Sequence, residues 1–311
     1  MKVKDLFNSF IELKATVSKQ STIILYKRIY KMHFSFLDDY EVEKLTPNII
    51  DDWITGMKVN NRNPQRVSFD HELSLLKSLI TYYNDFFDGH LDIIKKKHNI
   101  LCNIKHKKKR RDKELRESEF RKFVSKLAVL YGKKYELLAM LQYYLALRVS
   151  EVVAIHYNDI KLNYTNPYLS TIVINKSIVF KHDSISQSQL QDGFKNGSIK
   201  VLPIFPELFI YLKDEVENYK DKYLFIEDGI VEYYTIKNYY NSAFKQAGLS
   251  YRGTHILRHG GCSRIFNLSG GNVIVASQLL GDSEQETFKT YAHSYGNTLQ
   301  VLNDKLYNGL K

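Results

Sequence analysis

Long apolar runs are missing from this 311-residue chain. No stretch nears the roughly eighteen consecutive apolar residues that a membrane-spanning helix needs. Met1 to Phe10 mixes Lys2, Lys4 and Asp5 with apolar side chains, unlike a secretory signal, so a soluble, cytoplasmic protein with no membrane partner is expected. Cysteine is scarce: Cys102 and Cys262 are the two present, in no paired spacing, which excludes a zinc module or a disulfide framework and leaves two reduced thiols. Proline is rare as well, at five residues, as in an ordered chain. Repeats and low-complexity segments are absent. What is plentiful is positive charge: 45 Lys and Arg against 34 Asp and Glu give a formal +11. A surface so charged repels itself and attracts a polyanion, which makes nucleic acid the leading partner class. With 44% hydrophobic residues at this length, two domains are the expectation.

The first hundred residues read as an all-helical bundle. Val3, Leu6, Phe7, Phe10, Ile11 and Leu13 recur at helical spacing, as do Ile24, Leu25, Ile29, Tyr30, Phe34 and Leu37. Thr46 and Pro47 suit a cap and a first helical position, opening a helix through Ile49, Ile50, Trp53 and Ile54 that Gly56 is positioned to end. A long helix over 67–87 follows. Residues 105–114 then carry almost no apolar side chain, and Lys107, Lys108, Lys109, Arg110 and Arg111 form a basic run. Such a run is either a solvated linker or a tether along a phosphate backbone, and it marks a domain boundary in both cases.

Beyond it the helical period resumes, with Ser118 as a cap candidate and a second helix over 135–144. Short β-branched runs at 170–174, 177–180 and 201–205 read as strands of a small antiparallel sheet. Helices are expected again over 206–219, 233–247, 255–268, 273–280 and 284–291. Within the apolar stretch 145–155 stands one arginine, Arg148. A buried guanidinium needs an anion, and Glu151, one turn later, is the internal candidate.

His255 and Arg258 share one helix face, with His259 a turn further on. A zinc-protease reading of the two histidines fails because Ile256 stands where a glutamate base is needed. A histidine and an arginine aimed together suit an oxyanion and a proton. Downstream, Gly281 closes a helix, Ser283 and Glu286 are spaced as a capping box, and the next helix ends in a run from Phe288 to Tyr295 that holds Tyr291. A phenol titrates near 10, so it becomes a nucleophile only where cations stabilise the phenolate. Twenty-three tyrosines are present and Tyr295 is a near competitor.

Together, Ala146-Leu147-Arg148-Val149-Ser150-Glu151, a lysine ahead of Leu202-Pro203-Ile204, His255-x-Leu257-Arg258-His259, Leu279-Leu280-Gly281 and Tyr291 ten residues after that glycine resemble the tyrosine recombinase, or phage integrase, family. Each motif is weak alone; their order and spacing are specific. The resemblance spans nearly the whole chain. It implies a helical core-binding, DNA-binding domain at 1–104, a basic linker at 105–114, and at 115–311 a mixed α/β catalytic domain with a C-terminal helix.

It further implies site-specific cutting and rejoining of duplex DNA through a 3′-phosphotyrosyl link. Tyr291 is then the nucleophile, with Arg148 and Arg258 on the phosphate oxygens, His255 assisting proton transfer, and Glu151 orienting Arg148. Lys195 is the expected acid to the leaving oxygen, with Lys176, Lys181 and Lys200 as rivals. Neither metal nor other cofactor is called for, since the ester stores the bond energy. A tetramer on DNA is implied, joined through the C-terminal helix with its Leu299, Leu302 and Leu306. One position departs from the pattern: after Leu280-Gly281 the family usually has histidine or tryptophan, and here stands Asp282. Two other readings stay open, a type IB topoisomerase-like enzyme that relaxes DNA, and an accessory DNA-binding protein whose catalytic set has decayed.

Overall fold

The computed structural model describes residues 1–18, 20–61, 66, 68–103, 115–180, 188–193, 199–226, 229–251, 253–281 and 283–291. The chain divides into two compact units, Met1–Arg111 and Asp112–Lys311.

In the first unit the described helices are α1 (Val3–Val17), α2 (Gln20–His33), α3 (Pro47–Val59), α4 (Asp70–Phe86) and α5 (Lys96–Leu101). The apolar stripes of α1 and α4 meet in one core, where Phe10, Phe34, Leu76 and Leu79 are buried. The Thr46 hydroxyl accepts from the Ile49 amide and caps α3 as its sequence predicts. Gly56 does not end that helix. No atom stands where its Cβ would be, and the helix runs on to Val59, because the burial of Met57 outweighs the roughly 1 kcal/mol that glycine costs inside a helix. The short α5 has no apolar periodicity to announce it; the buried His98 Nδ1 accepts from the Lys95 amide at its start.

The second unit opens with α6 (Glu117–Tyr131), which packs against α7 (Lys133–Tyr144). Ser118 is not its cap: Glu119 reaches back to accept from the Arg116 amide at 3.0 Å. After α7 come α8 (Val149–Val153) and the strands β1 (Ile160–Lys161), β2 (Thr171–Ile174), β3 (Lys176–Val179), β4 (Gln189–Asp192) and β5 (Lys200–Pro203). Among the described residues all pairings are antiparallel, in a three-stranded sheet ordered β1-β2-β5 and a two-stranded sheet of β3 and β4. Two-residue β1 and polar β4 carry no strand pattern of their own, and both exist through their partners' free backbone groups. The remaining described helices are α9 (Pro206–Glu215), α10 (Tyr233–Gln246), α11 (His255–Leu268), α12 (Val273–Leu280) and α13 (Glu284–Tyr291). Among the described residues no helix is long and apolar enough to cross a membrane.

The junction of α7 with α11 sets the site. Helix α7 ends in a Schellman turn: the Leu147 amide donates to Gln142 O at 3.0 Å and the Ala146 amide to Tyr143 O at 3.2 Å. Ala146 lies in the left-handed region, at φ +52°, where glycine is the usual occupant. Against this turn α11 lays its glycines. A Cβ on Gly261 would stand 2.0 Å from Tyr143 O, and one on Gly260 would stand 2.8 Å from Leu115 O. The obstacle at Gly261 is backbone and cannot rotate away. Gly261→Ala is therefore expected to destabilise the protein by at least about 2 kcal/mol in urea unfolding; an unchanged midpoint would show that α11 does not need this approach.

Candidate active site

The turn at Ala146 delivers Arg148 to the N-cap position of α8, in extended conformation at φ −71° and ψ 146°. Three residues on, Glu151 is the natural partner of that position, because a carboxylate in the first turn accepts from the open amides. Its Oε2 accepts from the Arg148 amide at 2.8 Å and its Oε1 from Arg148 Nη1 at 3.0 Å. Glu151 is buried, at 2% exposure. Two more cations face it from distant parts of the sequence: Lys200 Nζ at 3.5 Å and Arg258 Nη1 at 3.8 Å. Three positive side chains thus surround one carboxylate in a poorly hydrated place, and the excess charge is suited to an anion such as a phosphodiester.

Arg258 is itself buried, in α11, and its Nη1 donates to the Ala146 carbonyl at 2.7 Å. The strained turn therefore sets the start of the Arg148 segment and also orients the second guanidinium. Arg148 keeps a side-chain exposure of 39%, so the cluster has a buried floor and an open face.

His255 is the first residue of α11 and is exposed. Its pKa lies below 6.5, chiefly because the surrounding protein desolvates the imidazolium, with the Arg258 and Arg148 guanidiniums pushing the same way and Glu151 opposing. The ring is therefore neutral at pH 7 and free to accept a proton. A buried network holds the start of α11: Gln142 Nε2 donates to Thr254 O at 3.1 Å, Tyr240 OH donates to Gln142 Oε1 at 3.1 Å, and the hydroxyls of Tyr233 and Thr254 lie 3.2 Å apart. Sequence reasoning did not single out Gln142. Its one signal was an amide within an otherwise apolar helix end, which fits a satisfied core residue equally well.

Arg148, Glu151, His255 and Arg258 are thus brought together, from α8 and α11. Tyr291 is the last residue of α13, whose backbone packs against α12 and α11. Lys195, Asp282 and the basic run Lys107, Lys108, Lys109, Arg110 and Arg111 lie outside the described residues. Of the rival lysines, Lys181 also lies outside them, Lys176 pairs with Asp159 at 3.8 Å, and Lys200 reaches the Glu151 cluster.

Removing the charge of Glu151 leaves cations facing one another in the interior. Glu151→Gln is expected to lower the unfolding free energy by about 3 kcal/mol, read by urea denaturation; an unchanged value would mean that water screens the cluster. His255 gives a pH test. Because its folded pKa is depressed, its contribution to stability is complete above the unfolded pKa of about 6.5 and is lost as pH falls toward the folded value. Between pH 7 and pH 5 the wild type should lose more stability than His255→Gln, and parallel curves would contradict the depressed pKa.

A comparison with curated protein sequences finds no match. Among solved structures, the fold resembles the Tn1549 transposon integrase in complex with transposon right end DNA, with a TM-score of 0.72 at 15% identity over 99% of both chains. It also resembles a lambda integrase dimer bound to a COC′ core site, with a TM-score of 0.62 at 18% identity over 94% of this chain and 77% of that one. A third likeness is to the XerH site-specific recombinase bound to palindromic difH substrate, with a TM-score of 0.62 at 12% identity over 98% and 97%. At such identities these likenesses show the fold. Residues 113–297, more than half of the chain, match the phage integrase family as a sequence, and with the arginine cluster and the helix that ends in Tyr291 in place, the chain belongs to that family of tyrosine recombinases, enzymes that cleave and rejoin DNA by transesterification.

Proposed function

We propose that the protein is a site-specific DNA recombinase of the integrase type, with Tyr291 as its nucleophile. The phenolic oxygen of Tyr291 bonds to the scissile phosphorus while its proton passes to neutral His255. The bond from phosphorus to the 5′ oxygen breaks, and that oxygen takes a proton from Lys195. A 3′-phosphotyrosyl ester and a free 5′-hydroxyl result. Attack by a 5′-hydroxyl from a second strand reverses these steps and releases Tyr291 with the strands exchanged. Arg148 and Arg258 bind the non-bridging oxygens and stabilise the pentavalent transition state, which fixed charge accomplishes without reorganising solvent. Glu151 touches no substrate in this scheme and positions the guanidiniums.

The observation that carries the proposal is the gathering of Arg148, Lys200 and Arg258 around buried Glu151, with neutral His255 beside it. Duplex DNA bearing a specific site is the substrate this reading calls for, in keeping with the DNA complexes of the integrases that the fold resembles. Residues 1–104 serve as the core-binding domain and 115–311 as the catalytic domain. The 105–114 segment, with its run from Lys107 to Arg111, supplies sequence-independent affinity for phosphates. The active form is a tetramer joined through the C-terminal segment with Leu299, Leu302 and Leu306, which lies outside the described residues, and it works in the cytoplasm on the nucleoid.

The experiment is a labelled, nicked half-site duplex. Wild type is expected to trap a covalent adduct that Tyr291→Phe abolishes. Arg148→Ala should slow adduct formation by about 10²-fold or more while keeping most of the DNA affinity, since dispersed phosphate contacts supply that affinity. Absence of any wild-type adduct would favour an accessory DNA-binding protein, with Asp282 among the changes that silenced it. Relaxation of supercoiled plasmids without site preference would favour a topoisomerase-like enzyme.

A further inference from the structure

Strand β5 alternates correctly between core and solvent, yet its first two residues are the wrong way round for burial. Lys200 and Leu202 face inward while Val201, at 60% exposure, faces out. Lys200 is 7% exposed, in a place where an aliphatic residue would be the ordinary occupant, since a buried ammonium is strongly disfavoured unless it is paired. Its Nζ lies 3.5 Å from Glu151 Oε1 and donates to the Leu280 carbonyl at 3.0 Å.

That carbonyl belongs to the last residue of α12. A helix end carries partial negative charge on its unsatisfied carbonyls, and a cation there is stabilised. The next residue, Gly281, closes the helix in left-handed conformation at φ +63°. A Cβ on Gly281 would meet Lys200 Cε at 2.3 Å, so the lysine stem runs through the notch that the missing side chain leaves. Register places the lysine firmly, because Lys200 pairs with Ile174 on the β2 edge of β5. One ammonium thus joins the carboxylate that holds both arginines to the point from which the chain enters α13, the helix that ends in Tyr291.

We infer that Lys200 is a positioning residue for the nucleophile: it links the Leu280–Gly281 end of α12 to the Arg148–Glu151–Arg258 cluster, and so sets where α13 begins relative to the phosphate pocket. This rests on the assignment of Tyr291 as nucleophile. It separates two duties for lysine, with Lys195 giving a proton to the leaving oxygen and Lys200 giving none.

The test uses Lys200→Met, which keeps an unbranched stem without the charge, Lys200→Arg, which keeps the charge, and Lys195→Met. Adduct formation is followed on the nicked half-site duplex with the ordinary 5′ oxygen and with sulfur in its place, a leaving group that departs without a proton. Lys200→Met is expected to be slower by about 10²-fold on both substrates, Lys195→Met to regain near wild-type rates on the sulfur substrate alone, and Lys200→Arg to stay within about tenfold of wild type on both. Restoration of Lys200→Met by sulfur would make Lys200 the acid and overturn the inference, as would wild-type rates in Lys200→Met. If Lys200→Met does not fold, a loss in Lys200→Arg as large as that in Arg148→Ala overturns it equally.

Amide hydrogen exchange of the full chain without DNA supplies a readout independent of catalysis. Lys200→Met should raise exchange in 284–291 at least about tenfold and leave α11 unchanged. Unchanged exchange in 284–291, or a rise spread evenly over α11 as well, rejects the link. A wild type that forms no adduct would count against Tyr291 as nucleophile, and the exchange comparison would still decide whether Lys200 holds α13.

Discussion

A single buried carboxylate organises the second unit. Glu151 accepts from the backbone and side chain of Arg148 and faces Lys200 and Arg258, so groups from a helix start, a strand and a second helix meet at one charge. Coulomb attraction is strong where water is scarce, and it compensates for the cost of withdrawing these ions from solvent. The residual charge of the cluster is positive, which is what binding a phosphodiester requires. The same electrostatics that bring these chain segments together therefore leave an excess of positive charge around Glu151.

Backbone packing lets that carboxylate meet its partners. Ala146 accepts a left-handed conformation to turn the chain after α7, and its carbonyl then anchors Arg258. Gly261 allows α11 to approach the Tyr143 carbonyl closely enough for that bond to form. Neither residue carries reactive chemistry. Between them they decide where both guanidiniums point, and Gln142, Tyr240 and Thr254 hold the start of α11, where His255 stands.

Much of this was legible in the sequence, for identifiable reasons. The sequence placed α11, α12 and α13 at their observed ends, because serine, asparagine or glycine stands at their boundaries: Ser269 after α11, Asn272 and Gly281 around α12, Ser283 before α13. Arg148 stood out as one cation in an apolar stretch, with Glu151 at helical spacing. Where local signal was weak the reading failed: β1 and β4 exist through pairing alone, Glu119 supplied the cap expected of Ser118, and Gly56 lies inside α3 because tertiary burial outweighs propensity. Lys200 was visible only as one lysine among rivals, since nothing in a one-dimensional pattern says that a strand will turn its lysine inward and its valine out.

By itself, the sequence determined the helical character of both units, the order of the motifs and the family, because these rest on spacing along the chain and on the identity of a few reactive side chains. Tertiary structure alone decided that Lys200 meets Glu151, that Ala146 and Gly261 form the seat of Arg258, and that the pKa of His255 is depressed. Each of these depends on distances of a few ångströms between residues far apart in the chain, and electrostatic energy and desolvation are set by such distances. The stretch from His255 to His259 is therefore recognisable in one dimension, and its Arg258 joins the Glu151 cluster only when α8, β5 and α11 meet.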